Sequence, residues 1–437
     1  THYRMKFVRY FIAFSTLCLS TTLSQDSSDK SSEENIMPKC FKPQYEISSS
    51  GDIKKISDCQ TISGSINIHG YDNELLELGS IRQIKGDLKI SIASQVMRIE
   101  APELESIDGS FTLSTLTSLT SASFPKLESV DTLEWKVLPI LSSVGLNKGI
   151  KKINSIIMSD TSLTGFGGFN VDTLKTLRID NNRFLERIES SVKEITDELI
   201  IAANARNLEV AFPELGWVKV AMIKDTKNLD LGGLQVVQSS AEFIENKFDT
   251  LSLPKLKSIG STLSMINNKK LENADFSSLV EVGGGLMIIK NNNLKEINFF
   301  PALKSVGGAI EFEGDINDSS FKRLKIVKGS AIMKSSSSSF DCQKWIDKEV
   351  SDVVRGGKIE CGSGNSEFTE VIHIDEDGER TGTSTGRNNA KTSDKGRGVH
   401  NVHDSTSVAT HSFGDTRGLL SIFVACLTIM AAVEISS

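Results

Sequence analysis

Short apolar runs recur along this chain at a nearly fixed interval, and that interval constrains the fold more than any other feature. The run centres fall at Ile68, Ile90, Leu113, Trp135, Ile157, Ile179, Ile201, Met222, Ile244, Met265, Ile288, Phe312 and Met333, 21 to 24 residues apart. A period of roughly 20–29 residues marks a leucine-rich-repeat or related β-solenoid. One turn cannot bury its own apolar strand, but stacked turns share a continuous core and a parallel sheet. The expected fold class is a β-rich solenoid, a parallel β-helix with repeats of about 22 residues.

The text between the centres repeats as well. "FPALKSVGGAIEFEG", "LPKLKSIGSTLSMINN", "FPKLESVDTLEW" and "APELESIDGSFTL" share one grammar: a proline, two spaced apolar residues, then the strand. "NNNLKEI", "NNRFLERI" and "NNKKLENA" follow three of the strands. Asparagine tolerates the left-handed region and bonds neighbouring backbone, so it suits a solenoid turn. Two readings stay open: an internal ladder of stacked asparagines, or exposed turn residues. The glycine doublets 232–233 and 307–308 and the triplet 283–285 are expected at tight corners with positive φ. None belongs to a GxGxxG or GxxxxGK[ST] phosphate loop.

Cysteines bracket the repeats. Cys40 and Cys59 precede the first strand, and Cys342 and Cys361 follow the last; both pairs are 19 residues apart. Four cysteines allow three connectivities. Pairing within each cluster closes a short loop worth roughly 3 kcal/mol and would staple two end-caps, which a solenoid needs. A metal site is the rival reading, but neither cluster has a CxxC pair or a histidine. In "DCQKWIDKEV" the apolar positions Trp345, Ile346 and Val350 suit a short amphipathic helix closing the C-terminal end.

The flanks point to export. After Met5 come Lys6 and Arg9, the apolar "YFIAFSTLCL" and small residues, the layout of a secretory signal peptide cleaved before Gln25. The apolar run Leu419–Val433 is short for a bilayer span and no Lys or Arg follows it. Small residues, a polar spacer and a terminal apolar tail make a glycosylphosphatidylinositol (GPI) attachment signal, with Ser405 or Ser407 as the attachment residue. The alternatives are an uncleaved signal anchor at one end and a single-pass tail anchor at the other. Between Gly362 and Gly418 the chain is Ser, Thr, Gly, Asn and charge, which reads as a disordered stalk. "HIDEDGE" at 373–379 lacks calcium-loop spacing and reads as a solvated charge run within it. Asn317, in "NDS", is the one N-glycosylation sequon.

The expected organisation is thus signal peptide 1–24, N-terminal cap 25–64, solenoid 65–340, C-terminal cap 341–362, stalk 363–418 and attachment tail 419–437. Taken together, the signal peptide, the Cys-capped repeats of "PxLxxIGGxLxIxxN" type, the Ser/Thr-containing stalk and the GPI tail resemble one family. It is the fungal GPI-anchored cell-wall-organisation proteins, the Ecm-type and sporulation-specific group, with a receptor L-domain-like fold. The resemblance covers the chain from about Cys40 to the tail. It implies a role in cell-wall organisation and integrity, and residence on the outer face of the plasma membrane or in the wall. It carries over no catalytic residue. The single sequon and the modest serine content of the stalk depart from the family pattern.

The remaining chemistry agrees with a surface protein. The net charge of −7 and the absence of a Lys/Arg tract argue against a nucleic-acid partner. Of six histidines only His69 lies in the repeats, without a Ser/Asp partner pattern. No HExxH or EF-hand loop is present, so no catalytic residue, cofactor or metal is expected. Partners are the lipid anchor and, on the sheet face, wall polysaccharide or other surface proteins. Beside the non-enzymatic scaffold stand two alternatives: an adhesin or receptor ectodomain binding a glycan or protein, and a wall-remodelling glycosidase.

Overall fold

The computed structural model describes residues 38–169, 171–364 and 368–387. The signal segment, Ser405, Ser407 and the tail Leu419–Val433 lie outside these residues. Within them the chain is a stack of short strands, a β-solenoid with a 23-stranded main sheet. Parallel pairing runs from Phe41–Ile47 to Lys358–Gly362.

One inward column follows the stack through every turn. It starts at Ile47, passes Ile68, Ile90, Leu113 and Trp135, and ends at Met333 and Cys361. Three expected centres are corrected. The column passes through Met158, Ile223 and Phe243, and Ile157, Met222 and Ile244 beside them point outward and are half-buried. The runs "SIIMS", "VAMIK" and "AEFIE" are apolar on both sides of the strand. Side chains alternate with a period of two, so a slip of one residue exchanges the faces.

The corner after each strand is built in a recurrent way. Gly70, Ile92, Thr115, Val137, Asp160, Asn181, Ala203, Asp225, Glu245, Asn267 and Lys290 all take φ between 48° and 59°. The next residue turns inward. In the early turns it is apolar: Tyr71, Ala93, Leu116 and Leu138. From Thr161 it becomes polar yet stays buried: Asn182, Asn204, Thr226, Asn246, Asn268 and Asn291. Asn246 N and Nδ2 both donate to Asn268 Oδ1 (2.9 and 3.0 Å), and Asn268 N and Nδ2 donate to Asn291 Oδ1 (2.8 and 3.0 Å). Each Nδ2 also donates to a strand carbonyl: Asn246 to Ile223, Asn268 to Phe243 and Asn291 to Met265. The internal ladder is therefore the correct one of the two readings. Asn181 and Asn267, one residue earlier, hold the left-handed corner.

The glycine clusters do something other than expected. None of Gly232–Gly233, Gly283–Gly285 or Gly307–Gly308 has a positive φ. Gly233, Gly283, Gly284, Gly307 and Gly308 instead allow backbones of successive turns to touch. A Cβ on Gly283 would lie 2.1 Å from the Gly260 carbonyl oxygen, and one on Gly307 2.0 Å from that of Gly283. Real Cβ atoms do not approach a backbone oxygen so closely, so these two positions accept only glycine.

Both ends are closed. Cys40 pairs with Cys59 (Cα–Cα 5.9 Å) and Cys342 with Cys361 (5.7 Å). Helix Cys342–Trp345 continues into Ile346–Val350, and Trp345, Ile346 and Val350 are all buried against the last turns. The expected stalk does not begin at residue 363. Phe368–Ile374 pairs antiparallel with Lys358–Gly362, and Arg380–Arg387 pairs antiparallel with Phe368–Ile374. Ile372 and Ile374 are buried, two alternate apolar residues in a polar segment. The acidic run is the turn of this hairpin: Gly378 takes φ 90°, and Asp375 Oδ1 accepts from the backbone N–H of Asp377 and Glu379 (3.1 and 2.8 Å).

Candidate functional site

A second inward column, Ile66, Leu88, Phe111 and Leu133 onward, runs beside the first, and outward columns lie between and beside the two. One outward column reads Ile157, Arg178, Ile200, Met222, Glu242, Ser264, Met287 and Glu311 on successive strands. The column beside it carries Lys224, Ile244, Ile266 and Ile289. Strands in register lie about 4.8 Å apart, so these side chains touch along the stack. Ile200, Met222, Ile244, Ile266, Met287 and Ile289 are each half-buried. Apolar side chains gathered on a solvated face mark an interaction surface. Earlier in the stack the same column is polar, with Asn67, Lys89, Thr112 and Glu134, so the patch is confined to the later turns.

Glu242 sits within this patch. Met222 and Ser264 flank it on neighbouring strands. Burial pushes its carboxyl above the usual carboxylate range, and the Lys224 ammonium pulls weakly the other way. Arg178, three strands away, is held by Asp180 on its own strand at 3.5 Å. The Ser264 hydroxyl reaches the Met287 sulfur at 3.9 Å. The sequence hides Glu242 and this patch for one reason: the repeat interval assigns Met222 and Ile244 to the core, which leaves no apolar residues for the outer face.

The opposite side of the solenoid is broken. Leu75–Glu77, Arg98–Glu100, Ser121–Ser123 and Ser143–Gly145 form one parallel sheet, and Gly165–Phe166 to Asn228–Asp230 form another. Between them lies a cleft of about 310 Å³ lined by Ser142, Leu163, Thr164, Gly165 and Phe166.

The other singled-out residues fall apart in space. His69 is exposed at the end of its strand, in register with Ser91. Asn317 is exposed, and its Oδ1 accepts from the hydroxyls of Ser337 (2.8 Å) and Ser339 (3.0 Å). The sequon's Ser319 is buried. The cysteines are in disulfides at the two ends. Among the described residues no group of three His, Cys, Asp or Glu is placed to hold a metal ion, and no helix is long and apolar enough to cross a membrane.

The chain is 41% identical over 362 residues to sporulation-specific protein 2 of Saccharomyces cerevisiae, covering 82% of this chain and 72% of that protein. It belongs to the fungal GPI-anchored cell-wall protein family. Sporulation-specific protein 22 of the same yeast is 43% identical, over 78% of this chain and 74% of its own length. Cell wall mannoprotein PST1, also of that yeast, is 31% identical over 72% of this chain and 70% of its own length. The names in this family, such as the cell surface GPI-anchored protein ECM33 of Candida albicans, place its members at the cell surface and in the wall. No family model matches the chain, and no solved structure matches it.

Proposed function

We propose that this chain is a non-enzymatic, GPI-anchored surface protein that contributes to fungal cell-wall organisation and integrity. In this reading the outer face of the main sheet is its working surface. The observation that carries it is the half-buried apolar patch around Glu242, raised on a solenoid whose internal ladder and end disulfides serve only to hold the stack. Glycoside hydrolysis needs two carboxylates roughly 5–10 Å apart. The strand neighbours of Glu242 in its column are Met222 and Ser264, which favours docking over turnover. The test is a deletion strain complemented with the wild-type chain or with Met222→Lys. Altered wall composition and sensitivity to wall-binding drugs, rescued only by the wild type, are expected. Full rescue by Met222→Lys overturns the face as the working surface. Polysaccharide turnover that one carboxylate substitution abolishes overturns the non-enzymatic reading.

Attachment is proposed at Ser405 or Ser407, downstream of the hairpin that ends at Arg387. Phospholipase C should release the protein from membranes; retention with residues 419–433 still present overturns the anchor. N-glycosylation is proposed at Asn317. The burial of Ser319 requires the glycan to be added before that turn folds. Endoglycosidase should therefore shift the mass of the wild type and leave Asn317→Gln unchanged.

A further inference from the structure

The outer column has an order that is complementary to itself. Along the stack it runs Arg178, Ile200, Met222, Glu242: a cation, two apolar side chains and an anion. We infer that this face docks on the same face of a second copy of the chain, about a two-fold axis lying along the strands midway between Ile200 and Met222. The inference rests on the reading of this face as an interaction surface and names its partner.

The geometry follows from the register. A two-fold axis along the strands reverses the stacking order and keeps the strand direction, the isologous arrangement of most dimers. Ile200 of each copy then lies over Met222 of the other. Arg178 lies over Glu242 of the other, and the pair occurs twice. Three strand spacings of about 4.8 Å separate the two charges within one copy, so a single chain cannot close the pair. Further out along the column, Ile157 meets Ser264 and Glu134 meets Met287. The neighbouring column places Ala202 over Lys224 and Asp180 over Ile244. No residue in these two columns meets a like charge. Sheets packed face to face sit about 10 Å apart, which long side chains such as Arg178 and Met222 fill.

Two features of the single chain fit this partner. Glu242 is desolvated by its own neighbours, and the Lys224 ammonium only partly offsets that. A guanidinium delivered from outside would restore the solvation its carboxylate lacks. Ile200 and Met222 occupy the two strands nearest the axis, where an interface is driest; Ile244, Ile266, Met287 and Ile289 lie one to three strands further out. A free glycan or an unrelated protein accounts for an apolar patch, but not for a cation and an anion at equal distances on the two sides of the Ile200–Met222 pair.

The experiment uses two epitope-tagged copies of the full-length chain in one yeast cell, captured from detergent extract through one tag. Wild type is expected to capture wild type. Arg178→Glu should lower capture by wild type about tenfold or more, because it faces Glu242 with a like charge. The double variant Arg178→Glu/Glu242→Arg should capture itself and reject wild type, which a folding defect cannot mimic. Absence of wild-type capture, or capture indifferent to these sign changes, overturns the inference. So does competition by soluble β-glucan that depends on Met222, which would give the face to a polysaccharide. If Met222→Lys fails to rescue the wall while wild type shows no self-capture, the face remains the working surface and self-pairing is wrong.

Discussion

Asn268 shows how much a single buried amide holds. Its Oδ1 takes two N–H groups from Asn246, and its Nδ2 satisfies the Phe243 carbonyl. Asn268→Ala removes the partner of two Asn246 N–H groups and of the Phe243 carbonyl, and a buried group left unpaired costs about 1–3 kcal/mol. Urea unfolding should show a loss of about 2–5 kcal/mol, far beyond that of an exposed asparagine such as Asn292. Glu242 acts in the opposite sense. Its folded-state acid is weaker than in the unfolded chain. Ionisation therefore costs stability as pH rises from the ordinary carboxylate value of about 4.3. Glu242→Gln should melt higher than wild type at neutral pH, and the gain should vanish below about pH 4. A gain that persists at low pH would point to packing in place of charge.

At the scale of the strand and its corner, most of the structure was legible. The repeat length, the parallel stacking and the closing helix with Trp345, Ile346 and Val350 came from spacing, whereas the cysteine pairing, one of three connectivities open in the sequence, is settled by the structure. What escaped did so for physical reasons. At Ile157, Met222 and Ile244 both faces of the strand are apolar, so periodicity could not tell inside from outside; the same property makes the patch. The alternation that buries Ile372 and Ile374 was masked by the acids of the hairpin turn. The glycines look like dihedral devices in the sequence because spacing does not show which backbones touch. Gly283→Ala should accordingly lower stability by about 1–3 kcal/mol or more, since its Cβ meets a backbone oxygen at 2.1 Å. The left-handed corners make the converse case. Val137, at φ 55° and exposed, bears a β-branched side chain where such residues are strained. Val137→Asn should raise stability by about 1 kcal/mol in the same urea assay.

For the whole molecule, the stack is as secure as its ends. Cys361 occupies the inward column itself, on the last parallel strand. Replacing Cys342 and Cys361 by serine should cost about 3 kcal/mol, and hydrogen exchange should show it first at Lys358–Gly362 and its neighbours. The hairpin beyond that strand has a mechanical consequence. A pull from the C-terminal side reaches the solenoid through Arg380–Arg387, whose end lies beside Phe368. Its hydrogen bonds are loaded one after another, as in a zip, and so yield at low force. Peeling then runs through Phe368–Ile374 and halts at Cys361, tied covalently to Cys342. Residues 362–387 paid out in this way give about 90 Å of slack. Under the C-terminal attachment proposed above, this end of the solenoid would lengthen under tension and re-coil when it slackens, before strain reached the stack.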